Sequence, residues 1–219
     1  MKRPHISLKL ATSLDGKIAL ANGRSEWITS EKSRQAGRAL RAQHDGIAIG
    51  ANTAVLDNPQ LTTRTGDAPD PVRIIFDSQC RLSPLSNLAA TAKDVPVWLF
   101  CDVEHQIKGD EIKQKGVRIF PVKHIEDGLD ISVALDLLKS NGIERLLIEG
   151  GGQLAASFIK QNYIDEIHWF RAPIILGGDG RNGVGSLGLE RLSHGLKLSP
   201  IVTQNLGDDT YVHYEMVRA

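Results

Sequence analysis

The sequence predicts an α/β fold whose mixed, mostly parallel sheet is flanked by helices and carries antiparallel strands at its C-terminal edge. Strand-length apolar runs alternate with helical patterns through the middle of the chain, as is typical of parallel sheets. After Ile164, strand patterns follow one another without a long helix between them, which favours antiparallel pairing. We therefore expect residues 1–219 to form a single domain.

Each predicted element has its own sequence signal. Helix 131–140 has Asp130 as an N-cap and Asn141-Gly142 as a C-terminal stop, and the start of helix 31–43 lies near Thr29 and Ser30, which can cap it. The other predicted helix is 110–115, and 65–71 is predicted to be a loop. Several apolar runs are rich in β-branched residues and predict strands. They are 6–14, 46–50, 72–76, 95–101, 117–122, 145–148, 164–175 and 210–217.

Composition bounds the function. Lys plus Arg and Asp plus Glu each total 26, so no global charge attracts nucleic acid or an anionic membrane, and no transmembrane run is present. Cys80 and Cys101 form no CxxC pair and the histidines are scattered, so we expect no metal site. Two cysteines without a signal sequence fit the cytoplasm, where both are expected to be buried or half-buried thiols.

The segment 146–154, LLIEGGGQL, predicts a buried strand, a glycine turn and a helix of about nine residues. Glycines allow close approach of the backbone, and a helix start binds anions, so the turn suits a phosphate or pyrophosphate. Glu149 would repel a phosphate, and its expected role is to accept N–H hydrogen bonds from a second bound molecule. The alternative is an ordinary turn with Glu149 in solvent.

Other predicted strands also end in polar residues. Asp15 and Lys17 follow the first strand, where a structural pairing between them is favoured over an anion-binding role for Lys17. Thr53, Asp57 and Arg64 follow the second, and the Arg64 guanidinium suits a phosphate monoester. Because ligands of α/β sheets bind beyond the carboxyl ends of the strands, these residues predict a site there.

Three further segments suit a nucleotide-like ligand. Ser78 and Arg81 follow the strand at 72–76 and could hold the 2′-phosphate that distinguishes NADP from NAD. Trp27 is expected either to be buried beside a helix cap or to lie along a flat heteroaromatic ring. A basic helix face is usually solvated, but Arg41 lies at the helix end nearest the next strand and is therefore the arginine of this helix most able to reach a site at the edge of the sheet.

The sequence also lacks common catalytic signatures. It has no GxSxG elbow, Walker A loop or zinc-deaminase pair, and nothing in it resembles a nucleophile activated by a neighbouring histidine. Its glycine triplet comes late in the chain, unlike a Rossmann fingerprint. The chemistry is therefore expected to belong to a bound cofactor that the protein orients.

At these residues the chain resembles the pyrimidine reductase family of riboflavin biosynthesis, which has a dihydrofolate-reductase-like fold and forms the C-terminal half of a bifunctional deaminase/reductase. The matching motifs span nearly the whole chain in family order. They are SLDGK at 13–17, SEWITS at 25–30, TAVLDNPQLT at 53–62, FDS at 76–78 and EGGG at 149–152.

The resemblance implies the residue roles. Substrate contacts are implied at Ser25, Arg41, Leu61, Arg64 and Glu149, with the arginines at the phosphate. Lys17 or Asp15 is our expected proton donor. NADPH contacts are implied at Ala11, Trp27, Thr53, Asp57, Ser78, Gly151, Gly152, Gln153, Leu154, Ala155, Ala156 and Ser157.

The implied reaction is NADPH-dependent reduction of the ribosyl group of a 5-amino-6-(5-phosphoribosylamino)uracil-type intermediate to the ribitylamino form. The alternatives are a reductase of the diaminopyrimidinone analogue, a reductase of another pterin or pyrimidine such as dihydrofolate, and a non-catalytic NADPH-binding paralogue. No deaminase half is recognised, and Asn58 stands where the family usually has Asp. The resemblance further implies a homodimer, and a separate deaminase as a partner.

Overall fold

The computed structural model describes residues 3–64, 69–126 and 128–217. They fall into two compact units: the first includes His5 and Arg38–Leu147, and the second Ile6–Gly37 and the chain from Ile148 onwards. The strands are β1 (His5–Thr12), β2 (Lys17–Ala19), β3 (Gly46–Gly50), β4 (Val72–Phe76), β5 (Val97–Asp102), β6 (Arg118–Val122), β7 (His124–Ile125), β8 (Gly128–Leu129), β9 (Arg145–Glu149), β10 (Glu166–Arg171), β11 (Arg181–Asn182), β12 (Leu198–Leu206) and β13 (Asp209–Met216).

The helices are fewer and mostly short. Two 3₁₀ helices, Val103–Gly109 and Leu192–His194, accompany the α-helices. The α-helices are α1 (Glu31–Arg41), α2 (Ala51–Leu56), α3 (Asn87–Ala90), α4 (Asp110–Gln114), α5 (Ile131–Ser140) and α6 (Gly152–Lys160). Among the described residues, none of these helices is long and apolar enough to cross a bilayer.

The first unit is built on parallel strands. In it the start of β9 lies beside β3, followed in order by β4, β5 and β6. β3 pairs with β4, β4 with β5 and β5 with β6, in each case parallel, which confirms the prediction from strand–helix alternation. Ile47, Ile49, Ile75 and Leu99 are fully buried in its core, and each such side chain contributes about 1.5–3 kcal/mol to stability.

The second unit contains the antiparallel edge. Here the end of β9 lies beside β1, and β10, β13 and β12 follow in order. β10 is parallel to β1 but antiparallel to β13, and β13 is antiparallel to β12, which confirms the predicted C-terminal edge. Fully buried side chains of this unit include Leu8, Phe158 and Phe170.

The predicted bounds hold best where a cap or a β-branched run marks them. α5, β3 and β4 have the predicted ends; the Asp130 carboxylate accepts a hydrogen bond from the Val133 amide at 3.2 Å, and Gly142 has φ +90°. The strand predicted at 164–175 is only Glu166–Arg171, because Pro173 cannot donate to a ladder. β12 was missed.

Candidate active site

The glycine turn of the second unit lies between β9 and α6. Gly150 and Gly151 have φ values of +74° and +83°, a conformation that favours glycine, and α6 starts at Gly152 without a side-chain cap. A Cβ at Gly152 would overlap the carbonyl oxygen of Asn182, and Gly185 N–H donates to the Gly152 carbonyl at 2.7 Å. The first amides of α6 are therefore at an uncapped helix start, which suits an anion.

The remaining predicted cofactor residues lie on α6. Gln153 is exposed and Leu154 half-buried, so both are accessible beside the helix start. Ala155 and Ala156 are buried, and the Ser157 hydroxyl donates to the Gln153 carbonyl at 3.1 Å. The first turn of the helix can therefore offer its backbone amides to a ligand. Residues 155–157 of the next turn are instead buried or hydrogen-bonded within the protein.

Glu149 ends β9 and is only 8% exposed. The alternative of Glu149 in solvent is therefore wrong. The Lys9 ammonium lies 3.9 Å from a Glu149 carboxylate oxygen and 5.9 Å from the centre of the Phe170 ring. A carboxylate has several acceptor positions, so it can accept more than one hydrogen bond at a time.

Lys9, which lies beside Glu149, is not among the residues that the sequence predicted for the site. It lies in β1 between Leu8 and Leu10, both buried, and its side chain is 20% exposed. A lysine in a largely buried strand is unusual, and that was the available signal. A Cβ at Gly37 would lie 3.3 Å from Lys9 Cε, so helix α1 packs against the aliphatic part of this side chain.

Asp15 and Lys17 lie in the turn after β1, and they have different partners from those predicted. The Asp15 carboxylate accepts hydrogen bonds from the Ser13 hydroxyl at 2.5 Å and from the amides of Leu176 and Gly177 at 3.1 and 2.8 Å. The Lys17 ammonium donates to Asn182 Oδ1 at 2.6 Å. Both side chains therefore connect the turn to the 176–182 segment.

These contacts determine the charge of Asp15. The Ser13 hydroxyl, followed by the Leu176 and Gly177 amides, lowers the pKa of Asp15 to about 2. A carboxyl group with that pKa is ionised at neutral pH and so has no proton to donate.

The segment before α1 exposes an aromatic ring. Trp27 is 71% exposed, which contradicts the alternative of a buried tryptophan, and the Arg34 guanidinium lies 4.5 Å from its ring centre. Ser25 is also exposed, and Ala11 is half-buried in β1. Ser30 Oγ accepts a hydrogen bond from the Ser33 amide at 3.4 Å, which confirms the predicted capping neighbourhood.

In the first unit, Arg41 and Arg64 belong to one neighbourhood. Arg41 donates to the Thr62 carbonyl at 2.8 Å and so holds the loop that carries Arg64. Arg64 is exposed, with φ +58°. Leu61 is 4% exposed and packs in the apolar core, which leaves its backbone rather than its side chain for a ligand. Residues 65–68 of the predicted loop lie outside the described residues.

Thr53 lies in α2, the short helix after β3, and Asp57 follows the last residue of that helix. Asp57 caps the C-terminus of α2 through its amide, which donates to the Thr53 carbonyl at 3.1 Å. Asn58 adopts φ +41°, which asparagine tolerates, and its side-chain oxygen accepts from the Asn87 amide at 2.8 Å. The turn therefore forms with Asn at this position.

Ser78 and Arg81 follow β4, as predicted. The buried Asp77 carboxylate accepts hydrogen bonds from the amides of Arg81 and Leu82 at 2.5 and 3.0 Å, which shapes the turn. Arg81 donates to Asn52 Oδ1 at 3.0 Å, and its side chain is 44% exposed. A hydroxyl and a guanidinium are thus both carried by one tight turn at a strand end.

Comparison with known proteins gives a consistent assignment. The family model "RibD C-terminal domain" matches residues 4–212. Riboflavin biosynthesis protein RibD of Aquifex aeolicus is 35% identical over 215 residues, which are 98% of this chain and 58% of that protein. The 2,5-diamino-6-ribosylamino-4(3H)-pyrimidinone 5′-phosphate reductase of Methanothermobacter thermautotrophicus is 32% identical over 97% of this chain and 98% of its own.

A solved structure agrees with these relatives. The diaminohydroxyphosphoribosylaminopyrimidine deaminase/5-amino-6-(5-phosphoribosylamino)uracil reductase of Thermotoga maritima superposes with a TM-score of 0.83 at 27% identity, over 99% of this chain and 57% of that one. The chain thus spans little more than half the length of the Aquifex and Thermotoga relatives. Its fold is dihydrofolate-reductase-like, and the chain belongs to the RibD C-terminal domain family.

Proposed function

We propose that this chain is a nicotinamide-dependent reductase that converts 5-amino-6-(5-phosphoribosylamino)uracil to its ribitylamino form. The observation that carries the proposal is the pair formed by the buried Glu149 and the half-buried Lys9, 3.9 Å apart, at the strand end that leads into the uncapped start of α6. One end of β9 thus combines a proton acceptor, a cation and an anion site. The proposed reaction requires a group that holds the pyrimidine, a proton donor and a site for the phosphates of the dinucleotide.

Glu149 is proposed to hold the pyrimidine. A carboxylate accepts hydrogen bonds only, so it selects the N–H and amino edge of the ring. Its burial strengthens such bonds, because they form in a medium of lower dielectric constant than water. This role also explains why a carboxylate lies next to a turn that suits phosphate.

Lys9 is proposed to supply the proton. Opening of the substrate's sugar ring leaves an imine between the sugar carbon and the amino nitrogen. When bound, NADPH supplies the hydride that reduces the imine carbon. The nitrogen then needs a proton, and the Lys9 ammonium, 3.9 Å from a Glu149 carboxylate oxygen, can donate one. Asp15 and Lys17, our expected donors, are instead given positioning roles in the 13–17 turn.

Arg41 and Arg64 are proposed to bind the substrate's 5-phosphate. Arg41 fixes the Thr62 carbonyl, and Arg64 projects from the same loop with an exposed guanidinium. Guanidinium groups bind phosphate oxygens in pairs of parallel hydrogen bonds. A phosphate requirement disfavours dihydrofolate as the substrate, since that substrate has an apolar benzoyl group instead. Ser25 is assigned to the substrate, and Leu61 contributes through its backbone.

The cofactor is proposed to be NADPH. The glycine turn and the start of α6 fit its pyrophosphate, because α6 begins at Gly152 with no side-chain cap hydrogen bond among the described residues. Ser78 and Arg81 fit a 2′-phosphate. Ala11, Trp27, Thr53 and Asp57 are assigned to the rest of the cofactor. We further assign the protein to the cytoplasm as a homodimer, working with a separate deaminase.

A second substrate is the diaminopyrimidinone analogue, which differs where the uracil carries an oxo group. It is favoured by the Methanothermobacter relative, which is matched over 98% of its own length. Both substrates have an N–H edge and a phosphate, so the residue roles proposed above apply to either.

The test follows NADPH absorbance with each substrate offered separately. We expect oxidation with at least one substrate, the uracil being preferred, and much slower turnover with NADH. Loss of turnover after dephosphorylation of the substrate would support the arginine assignment. Saturable NADPH binding without oxidation of either substrate would overturn the reductase proposal and leave a nucleotide-binding paralogue.

A further inference from the structure

Glu166, His168 and His213 form a Glu–His–His cluster in the second unit that the proposed reaction does not use. Each offers one potential metal-ligand atom, and these atoms all lie within 4.8 Å of one another. Glu166 and His168 are two positions apart on β10, so they share a face of the sheet. His213 is directly opposite His168 in the antiparallel ladder with β13.

The spacing of the cluster is close to that of a metal site. His213 Nε2 is 2.8 Å from one Glu166 oxygen, and His168 Nε2 is 3.5 Å from the other. In a tetrahedral zinc site, bonds of about 2.0–2.1 Å place neighbouring ligand atoms about 3.3 Å apart. Small side-chain rotations would therefore allow the three groups to surround one ion.

Outer contacts already orient two of the three groups. The Tyr211 hydroxyl lies 2.8 Å from His168 Nδ1 and can accept its proton, which leaves the Nε2 lone pair directed at Glu166. The Ser7 hydroxyl donates to Glu166 Oε1. Hydrogen bonds of this kind to ligand histidines and carboxylates are usual around protein-bound metals.

The surrounding charges favour a cation. Glu215 is directly opposite Glu166 in the β10–β13 ladder, and like charges in that position repel each other unless a cation lies nearby. Lys9 is adjacent to His168 in the β1–β10 ladder, but its ammonium lies beside Glu149.

From this geometry we propose that Glu166, His168 and His213 bind one Zn²⁺ ion, which links β10 to β13. Two histidines and a glutamate are an established zinc ligand set that leaves a fourth position for water. Their side chains are 14%, 7% and 20% exposed, so the ion can enter from the His213 side. The site is separate from the proposed reductase activity and does not depend on it.

The test uses the metal-free chain, with Zn²⁺ and with Co²⁺ as a spectroscopic probe. We expect one ion bound per chain, a Co²⁺ absorption spectrum of low coordination number, and a higher Tm with Zn²⁺. Glu166→Gln and His213→Asn should each weaken binding at least about 100-fold, and Tyr211→Phe, which loses only an outer hydrogen bond, about 10-fold. His124→Asn is the control, because His124 is an exposed histidine on β7.

The outcomes that overturn the site are distinct from loss of folding. Binding that is equal in Glu166→Gln, His213→Asn and His124→Asn would show adventitious coordination by surface groups. No binding by the wild-type chain would show that the cluster is an internal hydrogen-bond network. Tyr211→Phe keeps the aromatic ring and its packing, so a weakened site in that folded variant would support the proposal even if Glu166→Gln failed to fold.

Discussion

Glu149 and Asp15 are both carboxylates at strand ends of the second unit, yet their surroundings differ. Asp15 is exposed, but a hydroxyl and two amides occupy its oxygens. Glu149 is buried, and the Lys9 ammonium is 3.9 Å away. The protein uses the first carboxylate to fix a turn, whereas the second is the one that we propose binds a ligand. Position at a strand end therefore does not distinguish a structural carboxylate from a binding one; its hydrogen-bond partners do.

Each region also has its own lysine and glycine, so matched variants can test whether the two carboxylates have different roles. Lys9 accompanies Glu149, and Lys17 accompanies Asp15. Gly152 follows the Glu149 strand end, and Gly16 lies in the Asp15 turn.

The largest effect is expected from Lys9→Met. Loss of a general acid typically costs about 10²–10⁴ in rate, so kcat should fall by that factor while the Kd for NADPH is unchanged. Lys17→Met is the matched control and should keep a kcat near that of the wild type, because Lys17 contacts Asn182. Single-turnover kinetics with the preferred substrate measure both. Equal losses in the two variants would show that Lys9 is not the proton donor.

Glu149→Gln should have the next largest effect. Hydrogen bonds to a charged group are worth about 1.5–3 kcal/mol, so kcat/KM should fall about 10- to 100-fold. NADPH affinity, measured by fluorescence titration, should stay the same, and Asp15→Asn should leave kcat/KM near the wild-type value. If Glu149→Gln weakened NADPH and substrate equally, Glu149 would belong to the cofactor site instead.

The sequence predicted most of the fold because caps, β-branched runs and helix stops are local signals. β3, β4 and α5 have the predicted ends for that reason. β12 was missed because its central residues are all exposed, so it has no alternation of apolar and polar residues. The 3₁₀ helix Val103–Gly109 has no periodic signal either.

The site was harder to predict because its decisive contacts are distant in sequence. The EGGG motif located Glu149, but nothing near it in sequence points to Lys9, which precedes it by most of the chain. The same holds for Asp15, whose amide donors come from Leu176 and Gly177. Residue type and local pattern identified the carboxylates, whereas their partners required the tertiary structure.

Gly152→Ala tests the strand end beside Glu149. Its Cβ would overlap the Asn182 carbonyl, and overpacking of this kind typically costs about 1–3 kcal/mol of unfolding free energy. A shifted start of α6 should also weaken NADPH binding about tenfold, because the loss of one hydrogen bond to a charged group changes the affinity by about that factor. Gly16→Ala meets open space but has φ +78°, so it should lose stability without losing NADPH affinity. Urea unfolding and NADPH titration separate the two effects.

The smallest effect is the acid dependence of stability contributed by Asp15. Its pKa in the folded chain is about 2, below the ordinary value of 3.8, so the folded state prefers the ionised carboxylate. This contribution is fully present above about pH 4 and is lost as the pH falls through 2. Asp15→Asn lacks the charge, so the gap between wild-type and variant unfolding free energies should narrow over that range. Urea unfolding at a series of pH values measures the gap. A constant gap would mean that the Ser13, Leu176 and Gly177 bonds do not favour the ionised form, and the contrast with Glu149 would then lose its physical basis.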